Sequence, residues 1–242
     1  MRLTQKLNKT IAIGSLVLGL GVEANGQGVV AHWGFDEGSG QTVYDSTGNG
    51  NNGTLEGGVS WTTGISGYGL RFDGIDDRVN VAKKPSVDLT EQVGLEAWIR
   101  RDSHQDGTIF SRNGPFFIAV KNDRLYGGIH TDGGAEGWTH IQGISSLQVG
   151  QWYKVGLTYD GSFIRGYVND VQEGIAPKNG IMVVRSQQPW IGWGEPGQNF
   201  YFNGTIDEVK LYSTAVPEPS TYAFFGLGIG VLALVGLKKR KR

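Results

Sequence analysis

The sequence predicts an all-β protein, a sandwich or a barrel built from many short strands, from three observations. Residues 28–213 contain short runs in which apolar and polar side chains alternate, and they show no convincing long amphipathic helix. Gly, Asn and Asp, the residues that favour turns, separate these runs. The 242 residues include 40 Gly without a three-residue period, which excludes collagen and indicates many turns.

Period-two alternation is plainest where Tyr153, Val155, Leu157 and Tyr159 fall on one face of a strand. The dipeptide Asp160-Gly161 then predicts a hairpin turn, because Gly accepts positive φ angles. The predicted strands are 29–34, 41–44, 69–72, 79–82, 94–100, 108–112, 116–121, 124–130, 139–144, 152–159, 163–168, 189–193 and 200–212.

Two further hairpin turns are predicted at Asn122-Asp123 and Asn169-Asp170. The Gly- and Asn-rich segment 45–53 is predicted to be a loop that adopts left-handed conformations. Trp33, Trp98 and Trp152 lie within predicted strands, where we expect them in the core.

Charge and cysteine content exclude several classes of function. The chain has no Cys, which removes thiol catalysis and zinc–thiolate sites. Residues 25–215 contain 14 basic and 21 acidic residues, so this part carries a net charge of −7. It offers no basic stripe for a phosphate backbone, and nucleic acid is therefore not an expected partner.

Residues 1–24 have the three parts of a secretory signal peptide. A basic start precedes an uncharged apolar run, and Val22-Glu23-Ala24 places small or apolar residues where a signal peptidase reads. The apolar run is short for a bilayer span, which favours cleavage over the alternative, an uncleaved N-terminal anchor.

The C-terminal segment, 216–242, carries three ordered signals. Pro217, Glu218 and Pro219 precede the apolar stretch 222–237, which is about long enough to cross a membrane as a helix. Five basic residues, 238–242, follow and would hold this end in the cytoplasm. This order resembles the PEP-CTERM sorting signal. The resemblance implies recognition by a membrane exosortase, removal of the tail, and an exopolysaccharide or biofilm setting; a plain tail anchor is the alternative.

Seven motifs follow one another between residues 28 and 213. They are HWGFDEGSG from His32, VYDSTGNGNNG from Val43, GLRFDGIDDRVNV from Gly69, LEAWI from Leu95, WYKVGLTYDG from Trp152, YVN from Tyr167 and FNGTIDEVKLY from Phe202. Their order resembles the laminin-G-like domains of the concanavalin A-like lectin/glucanase superfamily. The resemblance implies a two-sheet antiparallel jelly-roll sandwich with one concave face. It also implies that the first and last strands are neighbours, with 33–36 beside 206–211.

The family often carries a structural calcium, which the resemblance places near the loop after Tyr44. Asp36, Asp45, Asn51 and Asp207 are the candidate ligands, with loop carbonyls completing the shell. The alternative is that Asp45 and the Asn side chains only cap the turn through hydrogen bonds to the backbone.

The sequence predicts no enzyme and no catalytic residue. Glucanases of this superfamily place carboxylates on one strand as Glu-x-Asp-x-x-Glu, whereas Glu96 is the only carboxylate on its strand. The four His show no metal-ligand spacing, and there is no Gly-x-Ser-x-Gly element.

Aromatic faces with a few fixed polar groups are what sugar binding requires. Trp138 follows a polar loop and Trp193 precedes a Gly- and Pro-containing loop, so both are ligand candidates. The predicted ligand-binding residues are Asp132, Glu136, Trp138, His140 and Trp193; the alternative is that each Trp packs under its own loop.

Together these features predict an exported, non-catalytic carbohydrate-binding or adhesive surface protein of an exopolysaccharide matrix. The expected partners are a polysaccharide or surface glycan, and an exosortase during export. Before processing, the C-terminal helix is expected to anchor the chain transiently in the inner membrane. A protein-binding laminin-G-like module is the main alternative, and a glycoside hydrolase a further one, since fold alone does not choose among them.

Overall fold

The structure is a computed structural model that describes residues 28–112, 114–132, 137–194 and 200–215. The predicted signal peptide, 1–24, and the predicted sorting tail, 216–242, lie outside the described residues. Within the described ranges, no helix is long and apolar enough to cross a membrane.

Strands dominate the described residues, and all their pairings are antiparallel. One short 3-10 helix, Pro85–Val87, precedes the seventh strand. In chain order the strands are β1 Val29–Trp33, β2 Thr42–Val43, β3 Gly53–Glu56, β4 Ser60–Thr63, β5 Tyr68–Asp73, β6 Arg78–Val81, β7 Val93–Arg101, β8 Gly107–Arg112, β9 Phe116–Lys121, β10 Arg124–His130, β11 Trp138–Gln142, β12 Trp152–Tyr159, β13 Phe163–Val168, β14 Val171–Pro177, β15 Pro189–Ile191 and β16 Asn203–Tyr212.

These strands form two eight-stranded sheets. The first sheet has the order β14-β13-β12-β7-β16-β5-β4, with β1 also paired to β16, and the second has the order β11-β10-β9-β8-β15-β6-β3-β2. His32 lies opposite Lys210 and Trp33 opposite Val209, so the first and last strands are neighbours. The predicted all-β fold of two antiparallel sheets is confirmed.

The core lies between the sheets and is filled by the inward positions of period-two strands. Val155, Leu157 and Tyr159 are fully buried on β12, as their alternation predicts. Trp33 and Phe116 flank Phe110, with ring centroids 6.0 Å from it on either side. Each fully buried large apolar side chain stabilises the fold by about 1.5–3 kcal/mol.

Two of the three tryptophans expected in the core are not there. Trp33 is fully buried, but Trp98 and Trp152 are only partly buried. Trp98 lies opposite Lys154 and Trp152 opposite Arg100, so both share the outward face of the first sheet with charged side chains. The prediction was wrong for these two because a strand motif does not say which face its Trp occupies.

Three strands, β3, β4 and β14, were not predicted. β3 and β4 are four residues long, and β14 is an edge strand whose exposed side chains leave no apolar alternation. Gly53, predicted to be part of the loop, begins β3. Strands this short or this exposed are held by their neighbours' backbone groups, which local sequence does not record.

Candidate functional site

An aromatic cluster covers the outward face of the second sheet at its β11 end. Tyr126 on β10, Phe117 on β9, and Trp138 and His140 on β11 all project there, on the side opposite the core. The imidazole of His140 is nearly parallel to its two neighbours, with ring centroids 5.3 Å from Tyr126 and 5.7 Å from Trp138. Phe117 is tilted against Tyr126, Trp138 and His140, at centroid distances of 5.4, 5.5 and 5.9 Å respectively.

Gly128 makes room for this cluster. It lies opposite His140 on one side and Phe117 on the other, in a single row across three strands. A Cβ at Gly128 would lie 2.6 Å from Phe117 Cε1 and 2.8 Å from His140 Cδ2. The two rings therefore lean over the bare backbone of Gly128, an arrangement that a side chain there would prevent.

The rings form one wall of an open cleft of about 330 Å³. Its floor consists of small side chains on β8 and β9, namely Thr108, Ser111 and Ala119. Gly194 and Phe200, which lie between β15 and β16, form the other side. An open cleft with an aromatic wall and a hydroxyl-bearing floor suits a ligand that has both flat apolar faces and polar edges.

Lys121 is the one charged side chain that lines this cleft among the described residues. Its ammonium lies over the Tyr126 ring, 4.9 Å from the ring centroid, which is a cation–π distance. Burial among the rings lowers the pKa of His140, although the imidazole keeps an exposed edge, and the charge of Lys121 adds to the effect. The lowered pKa favours the neutral imidazole over the imidazolium.

The structure brings together two of the five predicted ligand-binding residues, Trp138 and His140, on the cleft wall. Trp193 lies beside the cleft, where it packs edge-on against Trp190 at 4.7 Å and near-parallel to Tyr201 at 6.0 Å. Asp132 does not line the cleft, and its carboxylate accepts a hydrogen bond from the Ile181 N–H. Glu136 lies outside the described residues.

Sequence reasoning missed most of the cleft, including Phe117, Tyr126, Lys121 and Phe200. A usable signal existed on β9, where Phe117, Ala119 and Lys121 share one face at period two while Ile118 and Val120 belong to the core. Because Phe116 and Phe117 are adjacent, the sequence shows that one ring faces outward but not which one.

The candidate calcium ligands Asp45 and Asn51 belong to a hydrogen-bonded loop. Asp45 Oδ1 accepts hydrogen bonds from the His32 N–H, the Thr47 N–H and the Thr47 hydroxyl at 2.7–3.1 Å. Asp45 Oδ2 accepts hydrogen bonds from the backbone N–H and the side-chain amide of Asn51 at 3.1 and 2.8 Å. Although burial opposes ionisation, these donors lower the pKa of Asp45. They occupy the lone pairs that a cation would need.

The other two candidate calcium ligands lie at a different turn, residues 64–68. Asp207 Oδ2 accepts hydrogen bonds from the Ile65 and Ser66 N–H groups, at 2.8 and 3.1 Å. Asp36 Oδ1 accepts a hydrogen bond from the Tyr68 N–H at 3.1 Å. The four side chains thus serve two separate backbone networks, and in this arrangement they do not fit one calcium ion.

A second hollow, of about 270 Å³, lies on the outward face of the first sheet. Its charged groups are paired with one another: Lys154 contacts Glu96 at 3.1 Å and Asp170 at 3.0 Å, and the Tyr212 hydroxyl donates to Glu96 at 2.7 Å. Since carboxylates and ammonium groups here satisfy each other, this hollow offers fewer groups to a ligand than the aromatic cleft does.

Family comparisons agree with the fold and the tail. The family described as the concanavalin A-like lectin/glucanases superfamily matches residues 72–220. The PEP-CTERM protein-sorting motif matches residues 215–241. A search of curated protein sequences finds no match.

Solved structures of similar fold include two toxin domains. The binding domain of Paraclostridial Mosquitocidal Protein 1 is 16% identical, with a TM-score of 0.67 over 82% of this chain and 52% of that chain. The botulinum neurotoxin serotype G binding domain is 11% identical, with a TM-score of 0.63 over 83% and 51%. This chain spans about half the length of these two domains, and identities this low show the fold alone.

A third similar structure is shorter and matches over nearly its whole length. It is domain 4 of AbnA, a GH43 extracellular arabinanase from Geobacillus stearothermophilus, in complex with arabinotriose. It is 20% identical, with a TM-score of 0.60 over 78% of this chain and 94% of that chain. This likeness, too, shows the fold alone.

Proposed function

Because this chain belongs to the concanavalin A-like lectin/glucanases superfamily and carries a PEP-CTERM protein-sorting motif, we propose that it is an exported surface protein whose sandwich domain binds carbohydrate without cleaving it. The cleft on the second sheet is the binding site, and the superfamily contributes the scaffold that holds it.

The aromatic wall is the observation that carries this proposal. Phe117, Tyr126, Trp138 and His140 form a continuous ring surface beside a floor that bears the hydroxyls of Thr108 and Ser111. A sugar presents C–H faces to rings and hydroxyls to polar groups, so both halves of the cleft find partners on it.

Two of the similar structures are described as binding domains and the third was solved with arabinotriose, which supports a binding role. The cleft also lacks, among its described lining residues, the two carboxylates that a retaining or inverting glycosidase uses. We therefore assign the domain to recognition, with no catalytic residue.

The proposal places the mature protein at the cell surface, in the exopolysaccharide matrix. This location is proposed from the sorting motif, with an exosortase as the partner during export. The C-terminal apolar segment is proposed to hold the chain in the inner membrane until processing.

Affinity gel electrophoresis of the full-length protein against a panel of neutral and acidic polysaccharides tests the proposal. We expect at least one polymer to slow migration, and Trp138→Ala or Phe117→Ala to weaken that binding by about tenfold or more, a loss of roughly 1.4 kcal/mol or more. Tyr44→Ala is the matched control, because Tyr44 is 59% exposed and lies just beyond β2, at the opposite edge of the same sheet.

Failure of every polymer to bind would overturn the proposal, as would unchanged binding by the Trp138 and Phe117 variants. In the first case a pull-down from envelope extract would test the alternative, a protein-binding laminin-G-like module. Released reducing sugar that depends on one named carboxylate would contradict the non-catalytic assignment.

A further inference from the structure

We propose that the cleft selects carboxylate-bearing polysaccharides, such as polymers of uronic acids, over neutral ones; this inference rests on the proposed function. Four features of the cleft and its surroundings support it: one ammonium group without an ion-pair partner among the described residues, the absence of carboxylates from the described lining of the cleft, the charge of the remaining surface, and the spacing along β9.

The ammonium of Lys121 has no anionic partner among the described residues. The Lys121 residue is partly buried, and its ammonium lies 4.9 Å from the centroid of the Tyr126 ring and makes no ion pair with a described carboxylate. A ring face replaces only part of the solvation that an ammonium loses on partial burial. A ligand carboxylate would compensate for the lost solvation through a charge-assisted hydrogen bond, which is stronger than a neutral one.

Charge distribution makes this lysine unusual for the domain. Residues 25–215 carry a net charge of −7, yet the described lining of the cleft holds one cation and no carboxylate. In the hollow on the first sheet, by contrast, Lys154 is neutralised by Glu96 and Asp170. An acidic polymer would be repelled by most of this surface but would meet a positive group in the cleft.

Spacing along β9 indicates the size of the ligand. Phe117, Ala119 and Lys121 project from one face, and at about 3.4 Å per residue Lys121 lies roughly 13–14 Å along the strand from Phe117. From Trp138 through Phe117 and Tyr126 to the ammonium the wall is continuous, with successive distances of 5.5, 5.4 and 4.9 Å. A wall of this extent fits an oligomer of more than one sugar ring, with the ammonium at one end.

Binding of the full-length protein to polygalacturonate and to its carboxyl-reduced form, which has the same backbone without the charge, tests the inference. We expect the wild-type protein to bind the carboxylated polymer about tenfold more tightly, with the preference falling as NaCl rises. Lys121→Met should abolish most of the preference, and Lys121→Arg should keep it. Lys83→Met is the control, because the exposed Lys83 bonds the Arg185 carbonyl and does not line the cleft.

Equal binding of the two polymers by the wild-type protein would overturn the inference and leave the proposed function standing. An unchanged preference in Lys121→Met, with the melting temperature of the variant also unchanged, would likewise overturn it. If neither polymer binds, nor any other in the panel, the proposed function fails and the inference fails with it.

Discussion

Gly127 and Gly128 are adjacent on β10 and face opposite sides of the second sheet. A Cβ at Gly127 would lie 2.3 Å from Leu157 Cδ1 in the core, whereas a Cβ at Gly128 would meet the rings of Phe117 and His140 in the cleft. Substitutions at these two adjacent positions therefore test the packing of the core and the structure of the cleft separately.

This pair yields a prediction for stability and binding. Gly127→Ala overpacks the core and is expected to lower the free energy of unfolding by about 1–3 kcal/mol. Gly128→Ala is expected to displace the rings of Phe117 and His140. It should cost less stability than Gly127→Ala but should weaken polysaccharide binding. Thermal melts and affinity gels of both variants check this; stronger binding loss in Gly127→Ala than in Gly128→Ala would contradict it.

Asp207 is a fully buried carboxylate whose ionisation is opposed by its surroundings. Burial raises the pKa of Asp207 to about 6, even though the N–H groups of Ser66, Glu208 and Ile65 favour the ionised form. Since the pKa in the unfolded chain is about 4, the folded state binds this proton more tightly. The stabilisation is full below about pH 4 and is lost as the pH rises through about 6.

We therefore predict that the stability advantage of the wild-type protein over Asp207→Asn shrinks between pH 4 and pH 6.5. The Asn variant cannot titrate, and it turns an amide N–H₂ toward backbone donors, which costs roughly 1–3 kcal/mol. The change across the pH range is at most roughly 3 kcal/mol. Urea unfolding of both proteins at each pH measures it, and a gap that stays constant or widens with pH would refute the account.

Two hairpins have the same type of turn, but the aspartate in each turn has a different ion-pair partner. Asn122 and Asp123 join β9 to β10, and Asn169 and Asp170 join β13 to β14, all four with φ between 48° and 65°. Positive φ at both central positions is the type I′ turn, which favours Gly at the second position. Asp occupies that position in both hairpins, so turn formation alone does not explain why the residue is Asp and not Gly.

The reason differs between the two turns. Asp123 contacts the buried guanidinium of Arg101 at 2.8 Å and lies 2.9 Å from His104 Nδ1, and these partners, His104 first, lower the pKa of Asp123. Among the described residues, the one ion pair of Asp170 is with the partly exposed Lys154, at 3.0 Å. Breaking the first contact leaves a buried cation without its carboxylate, whereas breaking the second leaves an ammonium that still pairs with Glu96.

Matched glycine substitutions are therefore expected to act in different directions. Asp123→Gly should lower the free energy of unfolding, because it leaves the buried guanidinium of Arg101 without its carboxylate. The expected loss is limited to roughly 1–2 kcal/mol, because Asp123 is itself partly exposed and its ion pair is screened. Asp170→Gly should be neutral or stabilise by a few tenths of a kcal/mol, because Gly relieves the positive φ. Chemical unfolding measures both changes, and equal effects would show that the turn conformation, not the contact with Arg101, determines the change in stability.

The loop between β2 and β3 gives a prediction about calcium. Asp45 is held by five hydrogen bonds from the protein, and Asn51 Oδ1 accepts one more from the Ser86 hydroxyl at 2.8 Å. With the loop already satisfied, removal of calcium with a chelator is expected to leave the melting temperature within about 2 °C. A drop of more than about 5 °C that added calcium restores would show that the side chains rearrange around an ion.

For the whole molecule, the sequence predicts the architecture better than the site. The short alternating runs and the turn dipeptides indicate many short strands, and the resemblance carried by the seven motifs implies the two-sheet sandwich and the pairing of the first and last strands. Trp98 shows the limit, because period two identifies two faces of a strand without saying which one meets the core.

The cleft depends on pairing across strands, which one strand cannot report. Phe117, Gly128 and His140 come from three strands and meet because the register aligns them in one row. The position after a polar loop predicts Trp138 as a ligand candidate, whereas the roles of Tyr126 and Lys121 depend on their neighbours across the sheet. The family resemblance groups Asp45 with Asp207 in one calcium site, whereas their hydrogen-bond donors belong to two separate networks.

Indole N–H signals in an NMR titration test the central claim, that the cleft on the second sheet is where polysaccharide binds. The chain has seven Trp, whose indole signals can be assigned by single Trp→Phe variants. Added oligosaccharide from a polymer that binds is predicted to shift the Trp138 signal. The Trp33 signal, whose N–H is buried against the Asn51 carbonyl at 2.7 Å, and the Trp152 signal on the first sheet should stay fixed. A shift at Trp152 or Trp98 with Trp138 unmoved would place the ligand on the other sheet and contradict the account.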